Sequence, residues 1–305
     1  IIRRLTSEGK SVIFISHKMR EVMEISDRIM VLRKGEVVAS VKRGEASESE
    51  LASLMVGRRL VECTYPKRTA DMAEKPVFSL ERVGYNASSK HNGLHDLSLE
   101  IRRGEILGIA GVDGNGQSEL AKLATGLIAP DEGKVTFAGK DIALFSPVNF
   151  IGQGVSHVPE DRNKMGLVGS MSIYENLLLK SETDSKFGSG NGLLLNWNAI
   201  KAHAEALLEK YDIRCFGVDQ PSGQLSGGNQ QKVILARELE RNPDLLIAVH
   251  PIRGLDIGAA QYIHDCMVEA RERGCGVLLI STDLNEILQM SDRILVLYEG
   301  GVAGE

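Results

Sequence analysis

The sequence lacks the features that define several protein classes. Its 305 residues contain four cysteines, Cys63, Cys215, Cys266 and Cys275, with no Cys-x-x-Cys spacing. Neither a zinc cluster nor a disulfide framework is indicated, and we interpret the cysteines as free thiols. No apolar run reaches the roughly 18 residues needed to span a bilayer, and no signal sequence opens the chain. We therefore expect a cytosolic protein unless a partner carries it to a membrane.

The sequence also has no excess of positive charge. Asp and Glu number 41 against 36 Lys and Arg, which gives a net charge of −5, and 43% of the residues are hydrophobic. This is the composition of an ordinary globular protein. A surface that coats nucleic acid needs clustered Lys and Arg, so we expect no nucleic-acid partner.

Short apolar runs alternate with helical patterns along the chain. Residues 105–111, 245–249 and 276–281 read as buried strands, and a helix is predicted from about residue 259 to 273. Residues 11–16 form a similar β-branched run and are also predicted to be a buried strand. The alternation predicts an α/β fold with a mostly parallel sheet covered on both faces.

The chain also repeats itself. Residues 15–40 align with residues 280–305, with 11 identities in 26 positions where about two are expected by chance. The offset of 265 residues is longer than any solenoid unit, so the repeated unit is a whole domain. We predict that residues 1–56 end a first domain, 57–76 are a linker and 77–305 are a second domain, in a natural chain of roughly 500 residues.

The first chemical motif is a glycine-rich segment between a predicted strand and a helix. Its residues are Gly111, Val112, Asp113, Gly114, Asn115, Gly116, Gln117, Ser118 and Glu119. The spacing is that of a phosphate loop, in which backbone N–H groups surround phosphate oxygens at a helix N-terminus. Gln117 replaces the usual lysine, whereas Ser118 keeps a hydroxyl that is a candidate Mg²⁺ ligand. The alternative is a strand-to-helix turn that binds nothing.

The second motif is Leu225-Ser226-Gly227-Gly228-Asn229-Gln230-Gln231-Lys232, which precedes a long helical pattern. Its small residues can present N–H groups and a hydroxyl to an anion. It closely resembles the signature sequence of ABC-type ATPases, in the form found in importers of simple sugars and related small solutes. The resemblance implies a P-loop NTPase fold with a mostly parallel core sheet, an antiparallel β subdomain and a helical subdomain at about residues 160–230.

The other landmarks of that family can be placed residue by residue. Tyr85 resembles the aromatic residue that stacks on adenine, although an ordinary half-buried strand tyrosine is an equal interpretation. Glu160 lies where the family has a glutamine, and Asp256 matches the D-loop. The nucleotide contacts that the resemblance implies are Tyr85, Gly111, Gly114, Asn115, Gly116, Gln117, Ser118, Glu119, Glu160, Ser226, Gly227, Gly228, Gln230, Asp256 and Thr282.

Several positions depart from the family pattern. Val249 stands in place of the Mg²⁺-orienting Asp, His250 in place of the catalytic Glu, and Thr282 in place of the switch histidine. The first copy keeps that histidine as His17. Together with Gln117, these changes predict a site that holds ATP and Mg²⁺ weakly or not at all and does not hydrolyse ATP. His250 acting as a replacement base is the alternative.

Because ABC domains pair head to tail, the resemblance implies that each ATP site is formed by parts of both domains. The signature of this domain completes the ATP site of the first domain, to which His17 also contributes. We predict the C-terminal half of an ATP-binding subunit that energises uptake of a monosaccharide or related solute at the cytoplasmic face of the membrane. The partners implied are ATP, the first domain, a membrane-spanning permease and a separate solute-binding protein.

Three alternatives stay open at this point. A nucleoside importer of the same family is favoured by the form of the phosphate loop, and a soluble twin-ABC protein acting on ribosomes or DNA is a different class. A free-standing P-loop kinase or GTPase would need the missing lysine. The full-length protein is predicted to be a transport-coupled ATPase, and the 305-residue chain alone to be inactive.

The docking cleft for the permease is predicted to include Glu160, Asp161 and Arg162 with residues 165–171. The apolar residues beside these charges suggest an interface core with a polar rim, and they are Leu167, Val168, Met171 and Ile173. On this interpretation Leu167 belongs to the partner surface and not to the core of the domain.

Overall fold

The computed structural model describes residues 1–16, 19–33, 35–57, 65–68, 75–86, 93–189 and 193–305, apart from the side chains of residues 20 and 56. These residues form two compact units, one of Ile1–Thr64 with Asp256–Gln261 and the other of Tyr65–Leu255 with Tyr262–Glu305. No helix within the described ranges is long and apolar enough to cross a membrane.

The first unit is small. Its elements in chain order are α1 (Ile2–Ser7), α2 (Met19–Ile25), β1 (Arg28–Arg33), β2 (Glu36–Lys42) and α3 (Glu48–Val56). The two strands form an antiparallel hairpin, and α3 begins with a capping box formed by Ser47 and Glu50. Its core is formed by Val22, Ile29, Val31 and Leu51.

The prediction of a strand at residues 11–16 is wrong. This segment has no regular secondary structure, and Ile13 and Ile15 are almost fully exposed. The corresponding strand of the second copy lies between two parallel partners. A strand exists only through the hydrogen bonds that its neighbours supply, and among the described residues of the first unit the two strands pair with each other.

The described residues of the second unit contain a six-stranded sheet, a four-stranded sheet and a two-stranded antiparallel pair. Its strands are β3 (Phe78–Tyr85), β4 (Leu94–Ile101), β5 (Ile106–Ala110), β6 (Glu132–Phe137), β7 (Lys140–Asp141), β8 (Val155–Val158), β9 (Gly188–Ser189), β10 (Leu194–Leu195), β11 (Leu245–Val249), β12 (Gly276–Ile280), β13 (Arg293–Tyr298) and β14 (Gly301–Gly304). The largest sheet has the order β14-β13-β5-β12-β11-β8 and is parallel except for β14. The four-stranded sheet, β4-β3-β6-β7, is antiparallel, and β9 and β10 form the two-stranded pair.

The remaining helices belong to this unit, except that residues 257–261 of α9 are grouped with the first unit. They are α4 (Gln117–Ala124), α5 (Pro147–Gly152), α6 (Ile173–Leu178), α7 (Trp197–Lys210), α8 (Gly227–Leu239), α9 (Ile257–Glu272) and α10 (Leu284–Met290), with a π-helical turn at Arg162–Gly166. Strands β11 and β12 are buried at every position, as expected for a parallel sheet covered on both faces. The predicted α/β fold with a parallel core sheet, an antiparallel β part and a helical part is confirmed.

Part of the predicted linker is bonded to the second unit. The ammonium group of Lys67 donates to the main-chain oxygens of Leu288, Gln289 and Ser291, at the C-terminal end of α10. Arg271, which is 1% exposed, donates to the oxygen of Pro66. Residues 65–68 of the predicted linker are therefore hydrogen-bonded to the second unit. Residues 58–64 and 69–74 lie outside the described residues.

Candidate nucleotide site

Four of the predicted positions lie at one edge of the large sheet. The glycine-rich loop follows β5, Thr282 follows β12, His250 follows β11 and Glu160 follows β8. These four strands are adjacent and parallel, so their carboxyl ends lie side by side. Ligands of open α/β sheets bind at this edge.

The backbone of the glycine-rich loop has the shape of an anion nest. Gly114 and Gly116 have φ angles of +88° and +99°, which glycine adopts without strain. Helix α4 begins immediately after Gly116, so its first N–H groups face the loop. Ser118 is exposed in the first turn of α4, and Glu119 is buried with one carboxylate oxygen 3.5 Å from the Lys122 ammonium.

Gln117 turns back into the loop. Its Oε1 accepts the main-chain N–H of Asn115 at 2.9 Å, and its Nε2 donates to the oxygen of Val112 at 3.0 Å. Asn115 Nδ2 donates to the same Val112 oxygen at 2.8 Å. The turn at the end of β13 holds the other side of Asn115, because the N–H of Glu299 donates to its Oδ1 and the N–H of Gly300 to its main-chain oxygen.

The edge of β11 has no acid. Val249 is a buried apolar residue, and His250 follows it with a φ angle of +47°, an uncommon conformation for a residue with a Cβ. His250 Nδ1 accepts a hydrogen bond from the main-chain N–H of Thr282 at 3.4 Å. The main-chain N–H of His250 donates to the main-chain oxygen of Ile280. With Nδ1 as acceptor, the neutral ring carries its proton on Nε2.

These groups do not fit a Mg²⁺ ion. The ion prefers six oxygen ligands in an octahedron, usually with one or two carboxylates. At this edge the hydroxyl of Ser118 is one oxygen, Val249 and His250 supply none, and the carboxylate of Glu160 is paired with Arg253. Among the described residues, no group of three or more His, Cys, Asp or Glu is arranged to hold a metal.

The signature segment begins a helix in the way its sequence predicts. Ser226 is the N-cap of α8, and its Oγ accepts the side-chain N–H of Asn229 at 3.0 Å. Gly227 and Gly228 form the first turn, which leaves their N–H groups without intrahelical partners. Gln230 points inward and donates to the oxygen of Ser222 at 3.3 Å, so it supports the segment from within.

Arg162 and Arg253 connect the segment after β8 to the start of the signature helix α8. The sequence did not reveal this relationship. Arg162 Nη1 donates to the oxygen of Arg253 at 3.1 Å, and Arg253 is paired with Glu160. A Cβ built on Gly227 would lie 3.1 Å from Arg162 Nη2, so the guanidinium lies directly beside the signature. Arg162 is thus engaged inside the domain as well as near the predicted docking surface.

A buried charge network supports β8. Glu238 accepts both the ammonium of Lys180, at 2.7 Å, and Nε of Arg237, at 2.9 Å. Burial raises the pKa of Glu238, but Arg237 and Lys180 outweigh it and the net shift is downward. His157 donates its main-chain N–H to the same carboxylate, and burial together with the charge of Lys180 lowers its side-chain pKa to about 4.

Three other predicted residues are placed as follows. Tyr85 ends β3, is half-buried and packs against the hydrophobic core. Asp256 accepts the N–H of Ala259 at 2.8 Å and so stabilises the start of α9. His17 lies outside the described residues.

The predicted apolar docking strip needs correction. Leu167 is 6% exposed and Ile173 is fully buried, so both belong to the core. Val168 and Met171 are 41% and 38% exposed, and Met165 is 58% exposed. A loop residue's orientation depends on its backbone path, and the π-helical turn at Arg162–Gly166 directs Leu167 inward.

The sheet order, the loop after β5 and the capped helix after the signature define an ATP-binding cassette. The family model described as ABC transporter matches residues 94–252. The chain therefore belongs to the ABC transporter family.

Similar proteins are import subunits. A glucose import ATP-binding protein of Haloferax volcanii is 46% identical over all of this chain and 55% of its own length. A nucleoside import ATP-binding protein of Lactococcus lactis is 43% identical over all of this chain and 59% of its own length. A ribose import ATP-binding protein of Rhizobium meliloti is 36% identical, with 58% of its length covered. The chain thus spans a little over half the length of these relatives.

Solved structures show the same fold. A dimeric cassette in a post-hydrolysis state, bound to ADP and phosphate, matches with a TM-score of 0.61 and 24% identity over 74% of this chain and 97% of that one. A nucleotide-free cassette of an ABC transporter also matches with a TM-score of 0.61 and 24% identity, over 75% of this chain and 90% of that one. At this identity the likeness concerns the fold alone.

Proposed function

We propose that this chain is the C-terminal half of the ATP-binding subunit of an importer. In this proposal residues 1–56 end a first ABC domain, 57–76 connect the domains and 77–305 are the second domain, with its helical subdomain at about 160–230. The internal repeat supports this division, and so does the coverage of just over half of each import relative.

One contrast carries the proposal. The signature helix is complete, with Ser226 as its cap and two glycines in its first turn. The domain's own edge has Gln117, Val249 and His250 where the family has Lys, Asp and Glu. ABC domains pair head to tail, so this signature serves ATP and Mg²⁺ bound by the first domain, with His17 at the same ATP. The second site is degenerate.

The transported solute is proposed to be a monosaccharide or a related small molecule. The glucose and ribose import relatives support this assignment. A nucleoside is the second candidate, supported by the nucleoside import relative at 43% identity. A separate solute-binding protein and the permease would read the solute, so titrating the cognate binding protein with sugars and nucleosides decides between the two.

The domain is proposed to dock on a permease at the cytoplasmic face of the membrane. Met165, Val168 and Met171 provide exposed apolar surface close to Asp161 and Arg162. Affinity purification from solubilised membranes tests the class of protein: recovery of a multispanning membrane protein supports the importer. Recovery with ribosomes or DNA instead would replace it by the soluble twin-ABC class.

A further inference from the structure

One residue of the glycine-rich loop, Asn115, has its polar groups hydrogen-bonded within the protein. Asn115 has every one of its groups in use: the N–H donates to Gln117 Oε1, Nδ2 donates to Val112, and the two oxygens accept from Glu299 and Gly300. The Val112 oxygen accepts two hydrogen bonds, one from Asn115 and one from Gln117. A main-chain oxygen has two lone pairs, so it is saturated.

The side-chain amide of Gln117 is also confined. The residue is 8% exposed, and a Cβ built on Gly111 would lie 2.7 Å from Gln117 Nε2 and 2.7 Å from the oxygen of Leu297. The amide therefore lies against Gly111, in space that a side chain at that position would need. Any group that takes the Asn115 N–H has to displace Gln117 Oε1 and leave a buried amide without its partner, which is costly.

A lysine at this position has a different effect. Its ammonium donates hydrogen bonds and accepts none, so it cannot take the Asn115 N–H. With lysine, that N–H stays available to a phosphate oxygen and the positive charge adds to the attraction. Glutamine removes the charge and, in addition, places a neutral oxygen where an anion oxygen would accept.

We propose that the Gln117 side chain is an internal ligand that occupies the anion nest of this loop and closes it to nucleotide phosphates. This inference rests on the proposed function only in treating the loop as a phosphate loop. It assigns the weak phosphate binding to occlusion, and not only to a missing charge. The two causes make different predictions for a variant that removes the amide without adding charge.

The test measures hydrogen–deuterium exchange in a peptide covering residues 107–123, so the readout is local whatever length of chain is purified. The probes are inorganic tripolyphosphate and ATP, each added with EDTA. Without a probe, the Asn115 amide of the wild type should exchange about tenfold more slowly than that of Gln117→Ala, because its hydrogen bond is lost in the variant. Tripolyphosphate should leave the wild-type loop unchanged.

The variants separate occlusion from charge. Gln117→Ala should gain protection of the loop from tripolyphosphate and ATP, and Gln117→Lys should gain more, because it adds a cation to the open nest. If Gln117→Ala responds no more than the wild type while Gln117→Lys does, charge alone explains the site and the proposal is overturned. A wild-type loop that both probes protect as well as they protect Gln117→Ala also overturns it.

Gln117→Met serves as the shape-matched variant, since it keeps the length of the side chain without the amide. It should lose the slow exchange of the Asn115 amide while unfolding at a temperature close to that of the wild type. Slow exchange that persists in Gln117→Met would show that the Gln117 amide does not hold the loop. Transport activity does not enter this test, so its failure and the failure of the proposed function are separate results.

Discussion

The ammonium group of Lys67 lies 2.7 Å from the main-chain oxygen of Ser291 and also bonds the oxygens of Leu288 and Gln289. Carbonyls at a helix end lack intrahelical partners, and a cation there also interacts favourably with the helix dipole. A residue from a predicted linker thus caps the helix that follows the Thr282 position.

Lys67→Ala should lower the free energy of unfolding by about 1–2 kcal/mol, because three hydrogen bonds from a charged donor are lost at the end of α10. Thermal or urea unfolding measures the change. Lys140→Ala is the matched control, since Lys140 is an exposed lysine on β7 and should have an effect near zero. Equal effects of the two changes would contradict the capping role.

In the proposed importer, the signature helix and the glycine-rich loop should respond differently to mutation. Ser226→Ala should reduce ATPase and transport rates by roughly tenfold or more, because in the proposed function the signature stabilises charge that develops on the γ-phosphate of the first domain's ATP. Gln117→Ala should change both rates less than twofold. Similar losses from the two variants would remove the asymmetry, and Ser185→Ala on an exposed turn controls for loss of a hydroxyl.

The 305-residue chain alone should show no Mg²⁺-dependent ATP turnover above background. Its own edge lacks the lysine and both acids, and its signature faces no second phosphate loop in this chain. A phosphate-release assay measures this. Turnover that disappears in Ser118→Ala would show that the degenerate edge is catalytic after all.

Leu167→Glu should unfold or strongly destabilise the second unit, because it buries a carboxylate where Leu167 is 6% exposed. Met165→Glu should leave the unfolding temperature almost unchanged, since that side chain is 58% exposed. In the assembled importer Met165→Glu should reduce transport, and a cysteine at position 165 should cross-link to the permease. Efficient cross-links from residues 181–189 in its place would move the docking surface.

His157 should make stability depend on pH. Its pKa in the folded state is lowered to about 4 from an ordinary value of 6.5 by burial and by Lys180. Above about pH 6.5 neither state binds the proton, and as the pH falls toward 4 the unfolded state binds it first, so stability is lost. Urea unfolding at several pH values should show a steeper loss between 6.5 and 4 for the wild type than for His157→Gln. Parallel curves would contradict this.

The sequence determined the elements that depend on local chemistry. The run Leu245–Val249 is the strand that its apolar residues predicted. Ser47 and Ser226 are the N-caps of α3 and α8, and in the sequence each is a serine directly before a helical pattern. Gly114 and Gly116 indicate a turn that needs positive φ angles, and both residues have them. The caps and the glycine turn require contacts within only a few residues, so the sequence alone was sufficient to predict them. The strand was predicted from the length and apolar composition of its run, although its hydrogen bonds come from β8 and β12.

Tertiary structure decided whatever depends on a distant or three-dimensional partner. Residues 11–16 carry the composition of a strand, but strand formation requires neighbouring strands. Leu167 reads as a surface residue from its composition, yet the backbone turn before it directs the side chain inward. The sequence revealed that Gln117 replaces a lysine, whereas only the fold shows that its amide consumes the Asn115 N–H, because a hydrogen bond depends on where both groups are placed.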